Sequence, residues 1–194
     1  MQPVAADLLR DLAAVLRSEG LRWYVFGAQA VVVHGFVRQT ADVDVTVEVA
    51  SERIGALLAA LQSAGFKLRI EEGVDQFVAR TRVLPLVHVK TRLPLDLVLA
   101  GPGPEQGFLD RAEEVEAGGT RFPVISAEDL VVVKILAGRS KDLDDVRGIV
   151  LRQFDTLDLK AVRERLRELE MLLDQADLLP RLEEIVGRIE AERR

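Results

Sequence analysis

Between Asp42 and Val49 the chain alternates without a fault, with Asp42, Asp44, Thr46 and Glu48 on one side and Val43, Val45, Val47 and Val49 on the other. A period of two is the strand period, so these residues specify a β-strand with one face in a core. A half-buried strand needs neighbours and a covering layer, and the flanking sequence supplies both. Leu8, Leu9, Leu12, Val15 and Leu16 recur at helical spacing within Ala5 to Ser18, and Gly20 stops that helix. Arg22 to Phe26 is a strand ended by Gly27, and Ser51 is placed to cap a helix running to about Ala64. Further strands are expected at Phe66 to Ile70, Gln76 to Thr81, Leu86 to Lys90 and Pro94 to Leu99. Glu105 to Glu116 is expected to be helical and Arg121 to Ile125 extended. From there on the pattern is helical only: Ser126 to Ala137, Ser140 to about Gln153, and the remainder from Asp158 with an interruption near Gln175 to Pro180. Strands mixed with helices, then helices alone, define an α+β fold: a core over residues 1–125 and a C-terminal helical region over residues 126–194 packed on it. Ala28 to His34 stays open, because Val31-Val32-Val33 favours a strand while Gly27 and Gly35 bracket a piece of helical length.

The 194 residues are 48% hydrophobic, enough for a proper core. No apolar run approaches the roughly 18 residues of a membrane span, and Met1 to Leu16 has the pattern of an amphipathic helix rather than a signal peptide, so a cytoplasmic location is expected. Cysteine is absent, which excludes disulfides, thiolate zinc and a cysteine nucleophile. With His34 and His88 as the only histidines, a hard oxygen-ligated ion such as Mg2+ (or Mn2+) suits the chain better than zinc. The net charge of −6 argues against extended nucleic-acid binding. Arg80, Arg82, Lys90 and Arg92 could still engage one phosphate-rich ligand or an RNA end, or could simply guard a sheet edge.

Asp is depleted in strands and like charges on one face repel, so Asp42-Val43-Asp44 calls for a reason. Carboxylates at i and i+2 share a face, with Cα atoms roughly 6.5–7 Å apart, and a divalent cation can sit between them. An isolated Asp-x-Asp is ordinarily just an acidic solvent face. Here it has company. Gly27 follows a strand fifteen positions earlier and can aim backbone N–H groups at an anion. Asp96 lies within Leu95-Asp96-Leu97-Val98-Leu99, where an ionised carboxylate is expensive unless paired or metal-bound. Lys134, inside Val131-Val132-Val133-Lys134-Ile135-Leu136, must snorkel, find an acid or meet an anionic ligand, with a ligand or internal partner favoured. In Arg139-Ser140-Lys141-Asp142-Leu143-Asp144-Asp145 the acids complement a helix dipole whatever else they do, and Asp142 and Asp145 share a face.

The ordered series Gly27-Ala28-Gln29-Ala30, Arg38-Gln39-Thr40-Ala41-Asp42-Val43-Asp44, Asp96, Lys134 and Arg139 to Asp145 resembles the minimal nucleotidyltransferases, in particular the AbiEii-type toxin nucleotidyltransferases and their bacterial relatives, across about Trp23 to Gln153. The resemblance implies a mixed β-sheet flanked by helices and resolves Ala28 to His34 as helix. It implies Asp42, Asp44 and Asp96 as the catalytic, metal-ligating acids. It implies a nucleotide site drawing on Gly27, Ala28, Arg38, Thr40, Lys134, Lys141, Asp142 and Asp145, with Lys134 on the triphosphate. Arg38 either reaches that site or is a surface-loop arginine. Ala28 departs from the family pattern, which carries glycine, serine or threonine there, so any hydroxyl contact to phosphate is lost. The implied activity is transfer of NMP from an NTP to a hydroxyl of a small molecule, tRNA or protein, with an antitoxin as a further expected partner. The alternative is a nucleotide- or partner-binding protein of the same fold with little or no activity.

Two other patterns have structural explanations. Gly101-Pro102-Gly103-Pro104 follows a strand, but its prolines lack the N–H donors of a pyrophosphate cradle, so a rigid turn is expected. Leu159, Val162, Leu166, Leu169 and Leu173 step by three and four, a stripe for packing on a neighbouring helix in this chain or a partner, with packing within the chain favoured.

Overall fold

The computed structural model describes residues 3–193; Met1 and Gln2 of the expected N-terminal amphipathic segment lie outside the described residues, as does Arg194. In chain order the elements are α1 (Pro3–Ser18), β1 (Arg22–Phe26), α2 (Gly27–Val33), β2 (Val43–Glu48), α3 (Ile54–Ser63), β3 (Phe66–Leu68), α4 (Val74–Thr81), β4 (Val83–His88), β5 (Pro94–Leu99), α5 (Pro104–Arg111), β6 (Glu113–Ala117), β7 (Thr120–Val124), α6 (Ala127–Ala137), α7 (Ser140–Arg152), α8 (Leu159–Leu173) and α9 (Leu178–Glu192), with a 3-10 turn at Ser51–Arg53. The fold is α+β, a mixed seven-stranded sheet with nine α-helices among the described residues. None of these helices is long and apolar enough to cross a membrane. The chain divides into two compact units, Met1–Ala30 with Gln39–Ile125, and Val31–Arg38 with Ser126–Arg194.

The first unit holds the sheet, in the order β3-β4-β5-β2-β1-β7-β6. β2 pairs antiparallel with β1 and parallel with β5, and β7 lies parallel to β1. Registration follows the apolar alternation: Trp23 and Val25 stand opposite Val47 and Val45, and Val43, Val45 and Val47 opposite Leu95, Leu97 and Leu99. These residues are buried and form one face of the central strands. Leu8, Leu9, Leu12 and Leu16 of α1 and Leu57 and Leu61 of α3 are buried in the same unit. His88 joins α1 to β4: its Nε2 lies 3.2 Å from an Asp11 carboxylate oxygen and its Nδ1 2.9 Å from Thr91 Oγ1. Burial pushes the imidazole below its ordinary pKa against the pull of Asp11, as befits a histidine held for structure.

Several elements depart from expectation. Gln76 to Thr81 is part of helix α4, not a strand. Its half-buried residues are Val74, Phe77 and Val78, an i, i+3, i+4 set that a window beginning at Gln76 cuts in two. Glu113 to Glu116 leaves the expected helix for the edge strand β6, because Gly118 and Gly119, both at positive φ, close a two-residue hairpin with β7. β4 begins at Val83 rather than Leu86 and runs through Pro85. The Pro85 carbonyl accepts from the Arg69 N–H at 2.8 Å, so its missing donor faces the end of the edge strand β3, where no ladder bond is lost from the sheet centre. Ser51 and Ser140 lie in the first turns they were expected to cap, without capping through their side chains.

The second unit is a helical array. Ser126 Oγ caps α6 by accepting from the Asp129 N–H, Asp158 caps α8, and Gly138 at φ +63 separates α6 from α7. The stripe on α8 buries Val162, Leu166 and Leu169 within the chain, while Leu173 is exposed at its end. Packing is tight where Gly148 of α7 meets Phe36: a Cβ there would stand 2.3 Å from the ring, whereas one on Gly187 of α9 would meet nothing within 4 Å. Gly148→Ala is therefore expected to destabilise the protein by about 1–3 kcal/mol through overpacking, and Gly187→Ala to stabilise it by about 0.4–1 kcal/mol. Urea unfolding of both variants beside the parent, compared at constant m, checks the opposite signs.

Candidate active site

Asp44 stands in the middle of the sheet opposite Phe26 on β1 and beside Asp96 on β5. Parallel neighbours in register are about 4.8 Å apart and present their side chains to the same face, so two carboxylates that are 52 positions apart in sequence become adjacent. Phe26 leads directly into Gly27, the first residue of α2, whose φ is +64. A Cβ on Gly27 would lie 1.9 Å from Asp44 Oδ2 and 2.7 Å from its Cγ. Two demands thus converge on this glycine: the left-handed backbone and the close approach of a carboxylate.

Asp42 does not belong to the strand. β2 begins at Val43, and Asp42 is exposed in the bend before it, where Thr40 Oγ1 donates to its Oδ1 at 2.8 Å. Asp96 is not enclosed as its apolar neighbours suggested: its side chain is 37% exposed, on the opposite face from Leu95, Leu97 and Leu99, and Oδ1 accepts from Arg69 Nη2. The paired alternative for Asp96 therefore applies, with a partner that sequence reasoning missed. Arg69 follows β3, and its backbone sits opposite Pro85, which in turn stands opposite Asp96. One row across the sheet reads Arg69, Pro85, Asp96, Asp44, Phe26. Only the strand order could have revealed it.

Among the described residues, no three His, Cys, Asp or Glu side chains converge as a cage for a metal ion. The donors present nevertheless suit magnesium, which is typically held by one or two carboxylates and completed by waters and substrate phosphates. Asp44 and Asp96 supply two hard oxygen donors on one face, and the guanidinium already lodged on Asp96 shows that the position accepts a cation.

Of the basic stretch, Arg82 donates to the Leu99 and Ala100 carbonyls and Lys90 pairs with Asp7 at 3.0 Å. Arg80 lines an open cavity of about 410 Å³ with Ile70, Glu72, Gly73, Gln76 and Phe77. Gly103 at positive φ and Pro104 at the start of α5 make the Gly-Pro segment a turn into that helix.

Of the remaining expected site residues, Ala28 is buried in α2 beside Gly27 and the others fall in the helical unit. Lys134 is 6% exposed, and its ammonium lies 2.8 Å from both Asp142 and Asp145, which are 0% and 2% exposed. The lysine has found its internal acids. Arg139 pairs with Asp142 and Arg38 with Asp145, so each carboxylate receives a second cation. Burial acts to raise the Asp142 pKa, but hydrogen bonds from Arg139 and Lys134 outweigh it and hold the carboxyl below its ordinary value. Lys141 and Asp144 are exposed on the same helix. In the same unit Asp129, also fully buried, pairs with Arg165 at 2.9 Å, and Gln153 donates to the His34 carbonyl at 3.0 Å.

Breaking a buried ion pair from one side typically costs 3–5 kcal/mol, and Asp145 remains to hold Lys134, so Asp142→Asn is expected to destabilise by about 3 kcal/mol. Because the folded pKa lies below the unfolded one, the Asp142 contribution is complete above the ordinary carboxylate pKa of 3.8 and is lost as pH falls through it towards the lowered folded value. Acid unfolding should accordingly be less steep in the variant than in the parent over that interval, measured by circular dichroism at fixed ionic strength.

Comparison with solved structures places this architecture. The antibiotic-resistance factor ANT(2'')-Ia in solution matches with a TM-score of 0.61 at 16% identity, over 90% of this chain and 97% of that one. The crystal structure of ANT(2'')-Ia with adenylyl-2''-tobramycin matches with a TM-score of 0.58 at 17% identity, over 84% and 97%. An antigenic nucleotidyltransferase-like protein from Paracoccidioides brasiliensis matches with a TM-score of 0.56 at 18% identity, over 92% and 91%. At these identities the likeness is one of fold, and the fold is nucleotidyltransferase-like. No curated protein sequence matches the chain. Residues 6–178 match the family described as "Nucleotidyltransferase of unknown function (DUF6036)", and the chain belongs to that family.

Proposed function

We propose that the protein is a metal-dependent nucleotidyltransferase that moves NMP from an NTP to a hydroxyl of its acceptor. The observation that carries this reading is the adjacency of Asp44 and Asp96 in register, with the Gly27 backbone pressed against the Asp44 carboxylate. Neighbouring strands place two carboxylates on one face at a repulsive cost, and Gly27 leaves no room for a side chain beside one of them.

Asp44 and Asp96, with Asp42 from the bend before β2, are the residues that would hold Mg2+ or Mn2+. When bound, the ion would neutralise triphosphate charge and polarise the reacting phosphoryl group. The chain's own contribution is position. The β1–β2–β5 register fixes the Asp44–Asp96 spacing, Gly27 leaves space for backbone to approach the phosphates, and a carboxylate of the group can accept the acceptor hydroxyl's proton as the oxygen attacks the α-phosphate in line. The new O–P bond forms as the α–β phosphoanhydride bond breaks and pyrophosphate leaves. The nucleotide-contacting roles of Ala28, Arg38, Thr40, Lys134, Lys141, Asp142 and Asp145 rest on the motif series; within their own unit Arg38, Lys134, Asp142 and Asp145 neutralise one another. The finer reading as an AbiEii-type toxin with a cognate antitoxin also rests on that series, and Ala28 supports a nucleotide-binding protein without transfer as the second reading.

Incubation with each labelled NTP, Mg2+ or Mn2+, and in turn a cell extract, tRNA and hydroxyl-rich antibiotics tests the proposal; the antibiotics belong in the panel because one fold neighbour is seen with an adenylylated one. Transfer to one of these fractions is expected, and Asp44→Asn should lower it by more than the ~100-fold that losing a hydrogen bond behind a metal ligand can cost. Transfer that is indifferent to Asp44→Asn, or nucleotide binding with no transfer to any fraction, refutes the enzymatic reading.

A further inference from the structure

Resting on the metal-site reading above, we propose that Arg69 is a positioning residue that serves as the built-in counter-cation of Asp96 and must be displaced before a divalent ion can use that carboxylate. Arg69 reaches Asp96 from two strands away, over a spacing of about 9.6 Å at the ordinary strand separation. Pro85 stands between them in the row with no long side chain to block the path, and its carbonyl fixes the Arg69 backbone. The guanidinium binds Oδ1 of Asp96, the carboxylate adjacent to Asp44. With no cation on this face, the two acids would repel each other across neighbouring strands; Arg69 relieves that repulsion. A divalent ion and the guanidinium then compete for one acceptor.

The contact is built to be exchanged. Both side chains are 37% exposed, and an ion pair so open to water is worth little. Arg69 therefore sets how readily the site fills rather than whether it can.

The test is titration of the full chain with Mn2+ alone, without nucleotide, followed by calorimetry or electron paramagnetic resonance. Arg69→Gln should bind Mn2+ about two- to fivefold more tightly than the parent, the range that losing an exposed pair implies. Lys67→Gln removes the same charge from an exposed position two residues earlier in the chain and should leave the affinity unchanged. Arg69→Lys, which keeps the charge but not the planar fork, should fall between parent and Arg69→Gln. Thermal melts of all variants establish that each is folded. Equal tightening in Lys67→Gln, or none in Arg69→Gln while Asp44→Asn abolishes binding, overturns the role of Arg69 and leaves the metal site standing. Unchanged Mn2+ affinity in Asp44→Asn removes the site itself, and this inference with it.

Discussion

The register of β2 between β1 and β5 is the constraint on which the candidate site depends. A slip of one residue in a strand exchanges its two faces, so it would carry Asp44 into the apolar side and a valine out of it. What prevents the slip is the buried row of Val43, Val45 and Val47 against Leu95, Leu97 and Leu99 on one side and Val25 and Trp23 on the other. The acids are thus placed by the residues that do no chemistry. Gly27 adds a condition of its own, because the antiparallel pairing that sets Phe26 opposite Asp44 brings the next backbone unit within touching distance of the carboxylate. No side chain is compatible with that approach and with a φ of +64 together.

The helical unit meets a different problem, the burial of charge. Helix α6 is apolar nearly all round, yet Asp129 and Lys134 on it are buried. Each is satisfied from another segment of the same unit: Asp129 by Arg165 of α8, Lys134 by Asp142 and Asp145 of α7. Three cations, Lys134, Arg38 and Arg139, share two carboxylates there. Each carboxylate is doubly compensated, which is how Asp142 stays ionised at a position where burial alone would favour its protonated form.

Sequence alone discloses the elements whose pattern is local. The alternation over Val43 to Glu48, the Leu-rich repeat of α1 and the capped start of α6 all report short-range periodicity or a single side-chain bond, and all appear in the structure, though Asp42 and Val49 fall outside the strand. Elements whose state is set by a distant partner are not legible in this way. β6 is a run of glutamates with helical propensity that becomes a strand because a Gly-Gly hairpin returns it to β7. The last residues of α2, Val31 to Val33, are strand formers in a helix, which the motif series indicates and propensity does not. At the site, the Asp44–Asp96 adjacency follows from the parallel pairing of strands half a sheet apart in sequence, and the Arg69 contact follows from the position of β4 between β3 and β5. Lys134 was visible as an anomaly, but which acids it meets depends on how α6 and α7 pack.

The two charged groups differ in what they permit. Separating Lys134 from its carboxylates would strand charge in a place water does not reach, at about 3–5 kcal/mol, a large share of the 5–15 kcal/mol that holds a typical domain together. That cluster is a fixed part of the fold. The Arg69–Asp96 pair is open to solvent, and exposed pairs contribute about 0.2–1 kcal/mol, of the same order as thermal energy. It can be broken and re-formed without disturbing the sheet, since neither partner supports the buried face. The pair on the face beside Asp44 is therefore exchangeable, while the Lys134–Asp142–Asp145 cluster is locked. The proposed reaction, which must admit a cation and a polyanion and then release product, would require electrostatics of the exchangeable kind, and the Arg69–Asp96 pair beside Asp44 is of that kind.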